Sequence, residues 1–171
     1  MGREESWTHS ETPRRASMMP MDEALLLALP RMLPKAITWV EAREREILVQ
    51  GQPLNFSGVR LARTVGVLHP ERIRVRLVTQ MPIPEDPELQ AAAVQTGLLG
   101  PDTKGITFGY GICLLQAHPR LISHECRHVF QYEQAGSIGP FLEVYLGQIA
   151  RYGYYDAPLE IDARRWEQIR S

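Results

Sequence analysis

Residues 121–136, LISHECRHVFQYEQAG, place two histidines four positions apart, with a glutamate directly after the first. On a helix, side chains four apart project from one face, with their Cβ atoms about 5–6 Å apart. His124 and His128 can therefore converge on one metal ion, which is why this spacing recurs in zinc hydrolases. Glu125 lies roughly 100° further round the helix, beside such an ion, where it can accept a proton from metal-bound water.

The same five residues also fit an ordinary amphipathic helix that carries histidines on its surface. The flanking residues favour a buried helix, because they are apolar: Leu121, Ile122, Val129 and Phe130. In a buried helix, unpaired histidines need polar partners. Gln131, one turn beyond His128, lies on the same face and could orient a ligand. Cys126 falls away from that face and is predicted to pack in the core.

A catalytic zinc site needs a third protein ligand and an open position for water. The best candidate is Glu160, in the first turn of a final predicted helix, with one whole helix between it and His128. A small residue, Ala163, would let the two outer helices approach closely. Other interpretations stay open, since the helix dipole alone favours a glutamate in a first turn. Asp156 is an alternative ligand, and Asp162 could support one.

Hydrophobic periodicity predicts the rest of the fold. Residues 22–50 have helical spacing, and Pro30 and Pro34 should kink or split that helix. ERIRVRLVTQ alternates like a half-buried strand, and TKGITFGYGICLLQAH is either one bent strand or two adjacent ones. Three helices are predicted from Pro119 onward. The predicted class is α+β: a small sheet, an N-terminal helix and a C-terminal helical half that carries the HExxH helix.

Composition describes an ordinary soluble globular chain. The 171 residues are 44% hydrophobic with a net charge of -1, so there is no bulk electrostatic reason to expect nucleic acid as a partner. Neither a signal peptide nor a membrane-spanning run is visible. We therefore expect a cytoplasmic location and no stable membrane insertion. Export without a signal peptide stays open. Residues 1–20 are predicted to be a mobile tail and residues 21–171 a single domain. The oligomeric state is open.

The motifs together resemble a known group of enzymes. HECRH followed by Glu160-Ile161-Asp162-Ala163 resembles the gluzincin branch of the zincin metallopeptidases. More narrowly, HECRHVFQ is similar to the HExxHxxQ segment of a family of small bacterial metallopeptidase-like domains, in which a glycine-rich strand precedes the motif as GITFGYGI does here. The resemblance implies a zincin-like fold with Zn²⁺ bound by His124, His128 and Glu160. It departs at Arg164, where thermolysin-like enzymes have an aspartate, so His124 needs a different orienting partner.

The function expected from spacing and resemblance is zinc-dependent hydrolysis of peptide bonds in a peptide or protein substrate. Glu125 would be the general base, and a tyrosine just before Glu160 would stabilise the oxyanion. Tyr155 is the first choice among Tyr152, Tyr154 and Tyr155, although aromatic packing explains these residues equally well. An extended substrate could pair with the edge of the strand at residues 104–115. The alternative is a zinc-binding, catalytically inert protein-interaction or effector domain.

Overall fold

The computed structural model describes residues 22–167, and this part of the chain has an α+β fold. The predicted tail at residues 1–20 and the last few residues of the predicted C-terminal helix lie outside the described range. The helices are α1 Glu23–Gln50, α2 Phe56–Thr64, α3 Pro87–Gln95, α4 Pro119–Ala135, α5 Ile138–Tyr152 and α6 Pro158–Trp166, and the strands are β1 Gln52–Pro53, β2 Arg74–Leu77, β3 Gly105–Phe108 and β4 Gly111–Leu114. No helix within residues 22–167 is long and apolar enough to cross a membrane.

Helix α1 runs unbroken through both of its prolines, so the prediction that they would split it is wrong. Asp22 caps its first turn, with a side-chain oxygen 2.9 Å from the backbone nitrogen of Leu25. Pro30 and Pro34 are four residues apart and both exposed, so they share the solvent face. Carbonyls on that face can bond to water when a proline removes their helical donor, which lets the helix continue.

The four strands form one mixed sheet in the order β1-β2-β4-β3. Strands β3 and β4 are an antiparallel pair, so the two-strand interpretation of residues 104–115 is the correct one. Gly109 makes the turn between them with a φ of +61°, and the Glu44 carboxylate occupies the space where a side chain at this position would lie. Strand β3 pairs only with β4 among the described residues, which leaves its other edge unpaired.

Helix α4 lies between two hydrophobic clusters. One cluster includes Met32 of α1, Phe108 of β3 and Phe141 of α5. The other lies under α2 and β4 and includes Cys126, which is fully buried as predicted. The residues around the HECRH motif therefore belong to a buried helix, and the interpretation as a surface helix is wrong.

Helix α6 lies along α4 and brings the end of the chain back to the HECRH motif. Ala163 is completely buried on α6, as expected if a small residue allows the close approach. Arg127 of α4 fixes the alignment, because its guanidinium contacts both carboxylate oxygens of Asp162, at 2.7 and 3.3 Å. This packing places the first turn of α6 opposite the two histidines.

We expect Ala163→Leu to lower the free energy of unfolding by about 1–3 kcal/mol, because three extra carbon atoms must be forced between two packed helices. Urea denaturation measures the change. Arg165→Leu places the same side chain on the exposed face of the same helix and should change stability little. Equal effects at the two positions would contradict close packing at Ala163.

Candidate metal centre

Three buried side chains converge where α4 meets α6: His124, His128 and Glu160. The two Nε2 atoms are 3.1 Å apart, and Glu160 Oε1 is 3.1 Å from that of His128. Glu160 Oε2 is 3.3 Å from His124 Nε2. Ligand atoms about 2.0–2.1 Å from a tetrahedral zinc ion lie roughly 3.3–3.4 Å from one another. The three side chains thus have nearly the separation that a single zinc ion requires.

The second nitrogen of each imidazole is held by a group that fixes its tautomer. His124 Nδ1 lies 2.5 Å from Glu167 Oε1, and a carboxylate can only accept, so Nδ1 carries the proton. His128 Nδ1 lies 2.8 Å from Gln131 Oε1. That amide is oriented by its own NH₂ group, which donates to Leu159 O and to Asp162 Oδ2, both at 2.9 Å. Both Nε2 atoms therefore point their lone pairs at Glu160.

The centre of the cluster is consequently rich in acceptors. With both imidazoles neutral, two nitrogen lone pairs and a carboxylate face one another. The Tyr145 hydroxyl donates to Glu160 Oε1 at 2.6 Å, but Glu160 Oε2 is buried and, within residues 22–167, has no hydrogen-bond donor unless His124 Nε2, 3.3 Å away, carries a proton. A buried charge in this position needs a cation. Two imidazoles and a carboxylate are a donor set that suits zinc, so the residues present fit that ion.

Without a metal ion, a proton would have to play the part of the cation. Burial by itself lowers the pKa of His124, but hydrogen bonds with the Glu160 and Glu167 carboxylates outweigh it and raise that pKa to about 10. Burial likewise opposes the charged form of His128, yet the charge of Glu160 leaves its pKa raised. The pKa of Glu160 falls well below its usual range, since His128 and His124 overcome the effect of burial. Metal binding must therefore displace a proton at neutral pH.

Glu125 lies beside the cluster and is not part of it. Its side chain is only 4% exposed, and its Oε2 accepts a hydrogen bond from the Thr107 hydroxyl at 2.7 Å. Its Oε1 lies against β3, where a Cβ added at Gly105 would be 2.6 Å away. Gly105 is therefore required by the position of Glu125. The carboxylate is held by the edge strand and borders the same cavity as His128 and Glu160.

The three candidate tyrosines have different surroundings. Tyr155, the first choice, is 70% exposed, and its ring stacks under the Arg164 guanidinium. Tyr152 is also exposed. Tyr154 is partly buried and borders the cavity that Glu160 borders, and burial together with the Glu160 charge raises its pKa. The geometry thus brings Tyr154, and not Tyr155, to the metal centre.

Of the other predicted residues, Gln131 and Asp162 support the cluster, whereas Asp156 does not. Gln131 orients His128, as its place on the helix suggested, and Asp162 orients Gln131 in turn. His118 caps α4, with Nδ1 accepting from the backbone of Arg120. Asp156 is exposed and does not join the cluster.

Sequence reasoning missed three contributors: Glu167, Tyr145 and Thr107. For Glu167 a signal exists, because it follows Glu160 by seven residues and two helical turns return it to the same face. Tyr145 and Thr107 come from α5 and β3, and nothing in the local pattern relates them to a histidine on α4. Comparisons with protein-family models, with curated proteins and with solved structures found no match to this chain.

We expect Glu167→Gln to weaken zinc binding by about 10- to 100-fold, because an amide supports the imidazole of His124 less well than a carboxylate does. Competition with a chromogenic chelator measures the dissociation constant. Glu143→Gln makes the same chemical change at an exposed position of α5 and should leave the constant unchanged. Equal affinities for Glu167→Gln and the unaltered protein would contradict this role of Glu167.

We also expect zinc binding at pH 7 to release at least one proton, because the pKa of His124 is raised to about 10 in the metal-free protein. The apparent affinity should therefore rise with pH between about 6 and 9. Calorimetric titration in buffers of different ionisation enthalpy counts the protons. An affinity that is flat over this pH range would contradict the assignment of the proton to the cluster.

Proposed function

We propose that this protein is a zinc-dependent metallopeptidase with a zincin-like arrangement of strand, motif helix and ligand helix. One observation carries the proposal: three mutually close side chains, two imidazoles and a carboxylate, meet in the interior while a second carboxylate, Glu125, lies beside them without joining them. A site that only bound metal would have no use for that additional buried carboxylate. The order edge strand, HExxH helix and ligand glutamate supports the likeness to gluzincins.

In this proposal His124, His128 and Glu160 would hold the zinc ion. Bound there, zinc would supply Lewis-acid chemistry that makes water more acidic and polarises a peptide carbonyl. Glu125 accepts the proton of the attacking water and later delivers it to the leaving amine. Thr107 keeps the Glu125 carboxylate in place during both transfers. The Tyr154 hydroxyl, which borders the same cavity as Glu125 and Glu160, is the candidate donor to the oxyanion.

The unpaired edge of β3 is the natural place for the substrate backbone. It passes over Glu125 at Gly105, and a peptide that added to this edge would lie across the metal centre. The absence of a side chain at Gly105 leaves room for the Glu125 carboxylate against this strand. A peptide or protein substrate is therefore favoured over a small polar molecule.

A second candidate function is a zinc-stabilised binding domain without hydrolytic activity. The depth of the cluster favours it: Glu160 is 1% exposed, His128 6% and His124 8%. Structural zinc sites are closed in this way, whereas catalytic ones keep a position open. The distinguishing residue is Glu125, which a structural site would not require.

We expect Glu125→Gln to retain stoichiometric zinc and to lower kcat on a fluorogenic peptide library by about 10²–10⁴-fold, because the proton acceptor is lost. His124→Ala should lose both zinc and activity. Glu143→Gln, on the surface, serves as the matched control and should behave like the unaltered protein.

The outcomes separate the two functions. Bound zinc with no turnover of any library member would favour the binding domain. Turnover that persists in Glu125→Gln would contradict the assigned base, and stoichiometric zinc in His124→Ala would contradict the metal site itself.

A further inference from the structure

A cavity of about 130 Å³ adjoins the metal centre. Glu125, His128 and Glu160 border it on one side. From there it extends between α1, α3, β3 and α5. The cavity therefore begins at the reacting centre and ends in the hydrophobic interior.

The wall of the cavity is apolar. It includes Leu29 and Met32 of α1, Leu89 and Ala93 of α3 and Ile106 of β3. Among residues 22–167 no lysine or arginine borders it, and the carboxylates that do are Glu125 and Glu160 at one end.

Three of the hydroxyl groups on the wall are engaged within the protein. Thr96 donates to Ala92 O at 2.8 Å, and Tyr132 lies 3.3 Å from Thr107 O. Tyr145 donates to Glu160. A polar or charged group that entered the cavity would thus leave water and find few partners, which is costly.

Size narrows the class of occupant further. An apolar cavity of ~150 Å³ stays dry and binds benzene, so a cavity of about 130 Å³ suits one group of that size. A long acyl chain would not fit. An empty apolar cavity also destabilises a fold, because its lining atoms lack contacts. Because the cavity adjoins the candidate metal ligands, a group of a bound substrate could occupy it.

We propose that this cavity is a specificity pocket that takes one uncharged apolar side chain, of leucine or phenylalanine size, from the substrate. Ala92 and Ala93 set its dimensions, because larger side chains at these positions of α3 would fill the space. The identity of the occupant as a substrate side chain rests on the proposed function. The affinity of the cavity for an apolar group does not.

Benzene is the probe for the cavity itself. Titrated into the zinc-depleted full chain and followed by methyl NMR, it should give saturable shifts of Ile106 and of the α3 alanines. Ala93→Leu should abolish this binding. Ala91→Leu adds the same side chain on the same helix at an exposed position outside the wall, and should preserve it.

Some outcomes would overturn the proposal. If benzene does not bind saturably to the unaltered protein, the proposal is overturned, and no variant is needed to show it. Binding that survives equally in Ala93→Leu and in the neighbouring Ala92→Leu would also do so, because the occupied space would then lie elsewhere.

The substrate part is tested with zinc-loaded protein and peptides that differ in one residue beside the cleaved bond. Leucine or phenylalanine should be preferred over aspartate or lysine by about tenfold or more in kcat/KM, and Ala93→Leu should reduce that preference. Turnover without a preference would overturn the specificity pocket and leave the peptidase standing. Benzene binding without turnover of any peptide would overturn the peptidase, and with it the substrate role, and leave the apolar site standing.

Discussion

The arrangement depends on one constraint: two imidazole nitrogens and a buried carboxylate meet in the interior, and a cation, either a proton or a metal ion, must lie between them. His124 and His128 present lone pairs because their other nitrogens are occupied by Glu167 and Gln131. Glu160 adds a negative charge that is almost wholly buried. Such a group is strongly unfavourable in a protein interior unless a cation is present. The surrounding fold holds these atoms together in spite of that cost.

The contacts that hold these side chains together extend through the C-terminal helices. Arg127 holds Asp162, Asp162 holds Gln131, and Gln131 holds His128, so a partly buried ion pair is linked to His128 by two further contacts. The chain of contacts also joins α4 to α6, which is the packing that delivers Glu160. The contacts that align the two helices are thus the same contacts that set the geometry of the site.

The edge strand and the cavity give this centre its surroundings. Strand β3 holds Glu125 of α4 through Thr107 and passes closely at Gly105, so the proposed base lies against the element where we place the substrate backbone. On the interior side, small residues of α3 leave apolar space beside the ligands. Polar groups of β3 therefore lie on one side of the cluster, and an apolar cavity lies on the other.

Much of this could be predicted from local patterns. The helical period alone put His124, His128 and Gln131 on one face, and the apolar flanks implied that the face is buried. Glu160 and Ala163 followed from the next helices in order. The split of α1 was predicted wrongly, because the sequence does not reveal that both prolines face solvent, where the freed carbonyls can bond to water.

What the sequence determined by itself is what lies within a few helical turns: the spacing of the histidines, the adjacency of Glu125 and the α+β class. Only the tertiary structure decided which tyrosine comes near the ligands, that Tyr145 and Thr107 contact the site, and that a cavity adjoins it. The physical reason is that the period of a helix fixes neighbours along one element. Contacts between elements depend on packing, in which side chains distant in the chain compete for the same space.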